Sequence, residues 1–350
     1  MHTRPHLWYD MGSKNCWGAE VFFMNIKCTQ NIYKSANGVS NVAYYILVPE
    51  EAEVRGIVQI SHGMCEYFSR YTPFAKYLCS LGFIVCGNDH IGHGASVARD
   101  SDLGFFAPRD GWKYLIDDVK QLTELMQRRY PGLPYFLLGH SMGSLIARLC
   151  LTDYGDQLAG CILTGTVGPN PTAVSAAHLA DSIARTRGVT FRSGFLSDLV
   201  FKGCNRKIKD AHTVFDWLSR DENVVSLYQS DEKCNFVFTA TGFRDLFTLI
   251  AKANAAHTFR HTPRRLPLLF LAGDKDPIGK YGEGVRRVVN LYRGAGVKNI
   301  EVVFYKDARH EVLNELGRLE TYGDISRWLE AQLTAQAEAA DEQTARQAVN

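Results

Sequence analysis

Hydrophobic positions gather into eight short runs, separated by polar stretches with helical spacing. The runs are VFFMNIKC (21–28), VAYYILV (42–48), GIVQIS (56–61), FIVCGN (83–88), YFLLG (135–139), GCILTG (160–165), PLLFLA (267–272) and IEVVFY (300–305). Each is rich in β-branched or aromatic residues and reads as a strand. The first two tend toward alternation and are separated by Asn37-Gly38, which predicts a hairpin. The later runs are nearly continuous, as expected of parallel strands covered on both faces. Between them, 71–81 carries Pro73 near its start and Gly82 just past its end, the asymmetry of helix termini. Residues 112–129 set Tyr114, Leu115, Val119, Leu122, Leu125 and Met126 on one helical face. Further helices are expected near 278–293 and 314–333. Strands alternating with helices define an α/β fold, with an eight-stranded, mostly parallel, doubly wound sheet flanked by helices.

From Val167 to about Asn254 that rhythm stops. No strand–helix unit is readable there, although 173–186, 211–218 and 242–252 have helical patterns. So long a connection in a compact domain carries structure of its own. A helical cap is therefore expected over 168–254, dividing the body into 21–167 and 255–333. Residues 1–20 read as an N-terminal extension, and the Ala/Gln/Glu-rich stretch 334–350 as a flexible tail that frays into solvent. The cap is rich in aromatics: Phe191, Phe195, Phe201, Phe215, Phe236, Phe238, Phe243, Phe247, Trp217 and Tyr228. Most of these are expected to pack the cap onto the body. The remainder fit apolar ligands or contact with a membrane surface.

Composition excludes some functions. Lys+Arg 39 against Asp+Glu 37 leaves a net charge of +2, with no electrostatic footprint for nucleic acid. The nine cysteines, Cys16, Cys28, Cys65, Cys79, Cys86, Cys150, Cys161, Cys204 and Cys234, are odd in number, and no pair is spaced C-x-x-C. Most sit in apolar runs, which predicts free thiols in a reducing compartment. The first residues lack the apolar core of a signal peptide, and no apolar run is long enough to span a bilayer. A cytoplasmic protein is expected.

The strongest chemical signal is YFLLGHSMGSLIARLCL. A strand ends in Gly139-His140-Ser141-Met142-Gly143 and a helical pattern begins at once, which is G-x-S-x-G in the strand–turn–helix setting the motif requires. Ser141 is the candidate nucleophile, exposed on a strained turn above the sheet. A serine hydroxyl needs a base to take its proton, and the base needs an orienting acid. In this architecture the chain order is Ser, acid, His. After PLLFLA comes Gly273-Asp274-Lys275-Asp276-Pro277, and after IEVVFY comes Lys306-Asp307-Ala308-Arg309-His310. No histidine follows His310, so it is the candidate base. Asp274 and Asp276 compete as the acid, with Asp307 a weaker third. GIVQIS runs into Ser61-His62-Gly63-Met64, where a glycine after a strand can aim the Met64 N–H at the space above Ser141. With the Met142 N–H, that makes two oxyanion donors. His90 and His93 form H-x-x-H but lack a third ligand at a recognisable spacing, so a loop role is expected and no metal. Arg260, His261, Arg264 and Arg265 read as a solvated linker where the cap returns to the body.

Taken together, HGMCEYFSRY (62–71), NDHIGHGAS (88–96), GHSMGS (139–144), GDKDP (273–277) and ARHEVLNE (308–315) resemble the successive blocks of the monoacylglycerol lipase/lysophospholipase family of α/β-hydrolases. The likeness spans about residues 40–333. It implies an α/β-hydrolase fold and a serine carboxylic-ester hydrolase acting on a lipid-like ester such as a monoacylglycerol, without cofactor. It also implies that Asp276 is the acid, that Met64 and Met142 donate to the oxyanion, and that the cap forms an acyl-chain tunnel. One departure is Tyr67, where members often carry His. Proline-releasing peptidases of this fold show a Gly-Gly-Pro-Gly oxyanion loop, and this chain has HGMC. The rival readings are a lysophospholipase, a short-acyl carboxylesterase and, in a different class, a lipid-binding homologue without catalysis.

Overall fold

The computed structural model describes residues 25–349. Its sheet has eight strands: β1 (Ile26–Lys34), β2 (Asn41–Pro49), β3 (Gly56–Ser61), β4 (Phe83–Asn88), β5 (Tyr135–His140), β6 (Gly160–Thr164), β7 (Leu268–Gly273) and β8 (Ile300–Tyr305). Their spatial order is β1-β2-β4-β3-β5-β6-β7-β8. The pairs β1/β2 and β2/β4 are antiparallel and all the others are parallel. This is the α/β-hydrolase fold expected. The helices are α1 (Thr72–Ser80), α2 (Gly111–Arg129), α3 (Met142–Tyr154), α4 (Ala173–Arg187), α5 (Gly194–Phe201), α6 (Glu222–Ser230), α7 (Ala240–Ala253), α8 (Ala256–His261), α9 (Glu283–Gly294) and α10 (Arg318–Val349).

Successive residues of the central strands enter different cores. Ile57, Ile84, Leu137 and Phe270 pack with Leu115 and Leu122 of α2 and Leu145 of α3. Their neighbours Val58, Val85, Leu138 and Leu271 pack with Phe74 of α1 and Ile325 and Leu329 of α10. Because side chains alternate across a strand, two covered faces need apolar residues at every position. That is why these strands are continuous runs in the sequence.

The edge of the sheet departs from expectation. The first strand lies at 26–34, not 21–28, and residues 21–24 fall outside the described residues, as does the 1–20 extension. Its sequence, IKCTQNIYK, is mostly polar and largely exposed, because an edge strand has one neighbour and little to bury. Asn37-Gly38 does turn the chain, inside a six-residue loop: Asn37 Oδ1 accepts from Val39 N and Ser40 N, each at 2.8 Å, and Gly38 takes φ 72°.

Between β6 and β7 the chain holds α4 to α8. The two ends of this stretch meet over α3, where the buried Arg148 donates to Val167 O at 3.1 Å and Asn254 Oδ1 at 3.0 Å. Residues 211–218 are turns rather than the expected helix. The Asp216 carboxylate accepts from His212 N and Thr213 N at 2.7 and 3.1 Å, a local alternative to helical hydrogen bonds. At the other end α10 runs past residue 334 to Val349, where a fraying tail was expected, because Ala, Gln and Glu are strong helix formers.

Candidate active site

The serine turn is built by close approach. Ser141 links β5 to α3 with φ 51° and ψ −114°, a conformation that costs on the order of 1–3 kcal/mol for a non-glycine residue. A Cβ on Gly143 would lie 2.0 Å from Ser61 O, and one on Gly139 would lie 2.5 Å from Gly143 O, so the helix start can nest against the end of β3 only with glycine there. Ser141 N donates to Thr164 O at 3.0 Å, and His140 Nδ1 sits 2.8 Å from Thr164 Oγ1. The turn is thus braced from β6.

The loop after β3 passes directly over it. A Cβ on Gly63 would lie 3.2 Å from Ser141 Cβ. Among the described residues, neither Met64 N–H nor Met142 N–H donates to a protein acceptor. Both remain available to a ligand. Glu66 fixes the loop: its Oε1 accepts from Gly63 N at 2.5 Å and from the Tyr71 hydroxyl at 2.7 Å. Arg70 joins Glu66 Oε2 at 2.7 Å and grips Glu311 with two bonds of 2.7 Å. Burial pushes the Glu66 carboxyl above its ordinary range. Burial acts on Glu311 in the same sense, but the charge and hydrogen bonds of Arg70 outweigh it and hold that carboxyl low. Tyr67 donates its hydroxyl to Asp231 Oδ2 at 2.7 Å, tying this loop to the segment between β6 and β7.

The histidine loop follows β8. His310 is buried, and its Nδ1 stands 3.0 Å from Oδ1 of the fully buried Asp276. The two groups carry opposite charges only when the ring is protonated. Burial alone would lower the imidazole pKa, but Asp276, then Glu311 and Glu66, outweigh it and raise it above the usual 6.5. Asp276 Oδ1 also accepts from Ile278 N at 2.8 Å. Asp274 instead accepts from Asp307 N at 2.8 Å, and both Asp274 and Asp307 face the exposed Lys275. Trp217 O accepts from His310 N at 3.3 Å and Leu218 O from Glu311 N at 2.8 Å, so two residues between β6 and β7 pin the histidine loop.

One cavity of about 350 Å³ unites these parts. Ser141, Met64, Met142 and His310 line it together with Val200, Phe201, Trp217 and Phe247, the Trp217 ring centre lying 5.1 Å from that of His310; Asp276 contacts His310 from outside this lining. Phe238 and Phe243 are fully buried packing residues instead. His90 and His93 pack against His62 of the loop after β3. Each is buried: His62 Nε2 accepts from His90 N at 2.9 Å and His93 stacks on Phe106, with burial lowering their pKa to about 3 and about 4. Among the described residues no group of three or more His, Cys, Asp or Glu is arranged to hold a metal ion.

The fold is that of an α/β-hydrolase, with Ser141 and His310 lining one cavity and Asp276 in contact with His310. Residues 52–317 match the family described as "Serine aminopeptidase, S33", and the chain belongs to that family. It is 28% identical to a monoglyceride lipase of Homo sapiens over 81% of this chain and 84% of that one. It is 24% identical to a monoacylglycerol lipase of Mycolicibacterium smegmatis over 87% of this chain and 98% of that one. A carboxyl esterase from Bacillus coagulans, solved in complex with glycerol, superposes with a TM-score of 0.82 at 29% identity, covering 87% of this chain and 99% of that one.

Proposed function

We propose that the chain is a serine ester hydrolase of lipid-like substrates, most specifically a monoacylglycerol lipase. The carrying observation is the buried His310–Asp276 pair beside a serine on a left-handed turn, with Ser141 and His310 lining one cavity. In this reading His310 takes the Ser141 proton as the hydroxyl attacks the ester carbonyl. The N–H groups of Met64 and Met142 hold the oxyanion, each worth about 3 kcal/mol of barrier. Gly139, His140 and Gly143 shape the turn, and Asp276 orients His310 and stabilises its charged form. The alcohol leaves with the proton from His310, and water then releases the acid by the same path.

The named relatives support ester rather than peptide substrates, as does the HGMC loop. A volume of about 350 Å³ is at the small end for ligand sites and favours one acyl chain over two. Exposed Phe195 and Leu199 on α5 support transient contact with a lipid surface. The eight described cysteines are all free, which supports a reducing, cytoplasmic setting; no described helix is long and apolar enough to cross a membrane.

Relative kcat/KM on a long-chain monoacylglycerol, lysophosphatidylcholine and a nitrophenyl acetate tests the substrate. Monoacylglycerol should exceed the other two by about tenfold or more. A clear preference for the acetate would make this a short-acyl esterase instead.

A further inference from the structure

A second cleft of about 250 Å³ adjoins the catalytic cavity and shares Cys204 and Tyr281 with it. Five cations line it, Lys207, Lys209, Arg220, Lys275 and Arg309, against two carboxylates, Asp210 and Asp307. The whole chain carries only +2, so this is a local concentration of charge. Part of it is neutralised: Arg220 pairs with Glu315, and Lys275 with Asp274 and Asp307. Lys207 and Lys209 form no ion pair among the described residues, while the Arg309 charge helps hold the Asp216 carboxyl low. Arg309 is held through Nη1 alone, by the carbonyls of Asp216 and Ser219. On the near side, Lys202 and Lys280 line the catalytic cavity itself. Its two carboxylates, Glu66 and Glu311, are both already gripped by Arg70.

The wall between the two spaces is strained. Lys280, Tyr281 and Gly282 take φ 51°, 57° and 86° in succession. Two consecutive non-glycine residues in the left-handed region persist only where their surroundings impose it, and such strain gathers at functional sites. Here Tyr281 N donates to Asp276 O at 2.7 Å, and the Lys207 ammonium sits 3.6 Å from the centre of the Tyr281 ring. One turn therefore braces the Asp276 loop and carries the partition next to the lysines.

We propose that this cleft is a headgroup subsite that lets the enzyme take an acyl ester bearing a phosphate, an acylglycerol phosphate, as well as its uncharged counterpart. Ammonium groups bind phosphate as point charges and need no fixed fork geometry. The proposal rests on the ester-hydrolase reading of Ser141 and names its substrate class. The bond cut remains the acyl ester: the hydroxide part of water joins the acyl carbon, its proton joins the glycerol oxygen, and the P–O bonds are untouched.

The test compares 1-oleoylglycerol with 1-oleoylglycerol 3-phosphate in neutral detergent micelles, for the wild type and Lys207→Gln/Lys209→Gln. The wild type should cleave the phosphate ester at least as efficiently as the uncharged ester. The double variant should raise KM for the phosphate ester about tenfold, as should salt screening in the wild type, and change the uncharged ester by less than about twofold. Equal effects on both esters, or a wild type more than about tenfold poorer on the phosphate ester, overturn the subsite. A variant defect that appears for both esters on anionic vesicles and vanishes in neutral micelles also overturns it, and assigns the lysines to a membrane surface. Turnover of neither ester by the wild type would instead remove the ester-hydrolase reading beneath it.

Discussion

Asp276 and His310 meet at 3.0 Å with both side chains buried, while Asp274, two residues earlier, accepts from the backbone of Asp307 at the surface. Two carboxylates so close in sequence are thus given different work by the direction of one loop. Asp276→Asn should lower kcat by about 10³–10⁴, because it removes the charge that stabilises protonated His310 and fixes its tautomer. Asp274→Asn keeps an oxygen for Asp307 N and should stay within about twofold of wild type. Steady-state kinetics on both variants decide it, and the reverse order would move the acid.

With His310 as the proposed base, its raised pKa should set the acid limb of the pH profile. Only the neutral ring can accept the serine proton, so activity is lost as pH falls through that pKa. The half-point of kcat/KM should lie above 6.5, the value of an unperturbed histidine. In Asp276→Asn the carboxylate that raises it is gone while burial, which lowers it, remains, so the residual activity should persist to lower pH. A limb at or below 6.5 in the wild type, unmoved in the variant, would contradict the pairing.

Arg70 stands between two buried carboxylates, Glu66 in the loop after β3 and Glu311 next to His310 in the chain. Arg70→Met leaves both uncompensated and should destabilise the fold by about 3–5 kcal/mol. The Arg55–Glu330 pair is 41% exposed on both sides, so Arg55→Met should cost about 1 kcal/mol or less. Urea unfolding of the two variants gives the comparison. Equal losses would mean that the triad carries no special role.

Much of this architecture was legible in the chain, for physical reasons that differ by element. The inner strands announced themselves because both faces are covered, and two of them, Gly56–Ser61 and Phe83–Asn88, coincide with the predicted ranges, as does the edge strand Ile300–Tyr305. The polar edge strand did not, since pairing with β2 rather than apolar content defines it. In the segment between β6 and β7, α5, α6 and α8 were missed. These are short elements: α5 is apolar nearly all round and α6 is signalled mainly by its Asp221 cap. Motif and chain order single out Ser141 and His310 but leave Asp274 and Asp276 competing; only the family resemblance points to Asp276, the one that lies beside His310. The Glu66–Arg70–Glu311 triad could not be named, as its members lie up to 245 positions apart and meet only through the sheet order. All three do sit inside the recognised blocks, Glu66 and Arg70 in 62–71 and Glu311 in 308–315, which was the one available hint.

Reaction with a fluorophosphonate probe reads the central claim most directly, because only a serine made nucleophilic by its surroundings is phosphonylated. The wild type should take up one label, on the peptide containing Ser141, and Ser141→Ala none. His310→Ala should label at least about 10³-fold more slowly while remaining folded. Labelling of Ser141→Ala at the wild-type rate, or His310→Ala reacting as fast as wild type, would contradict it.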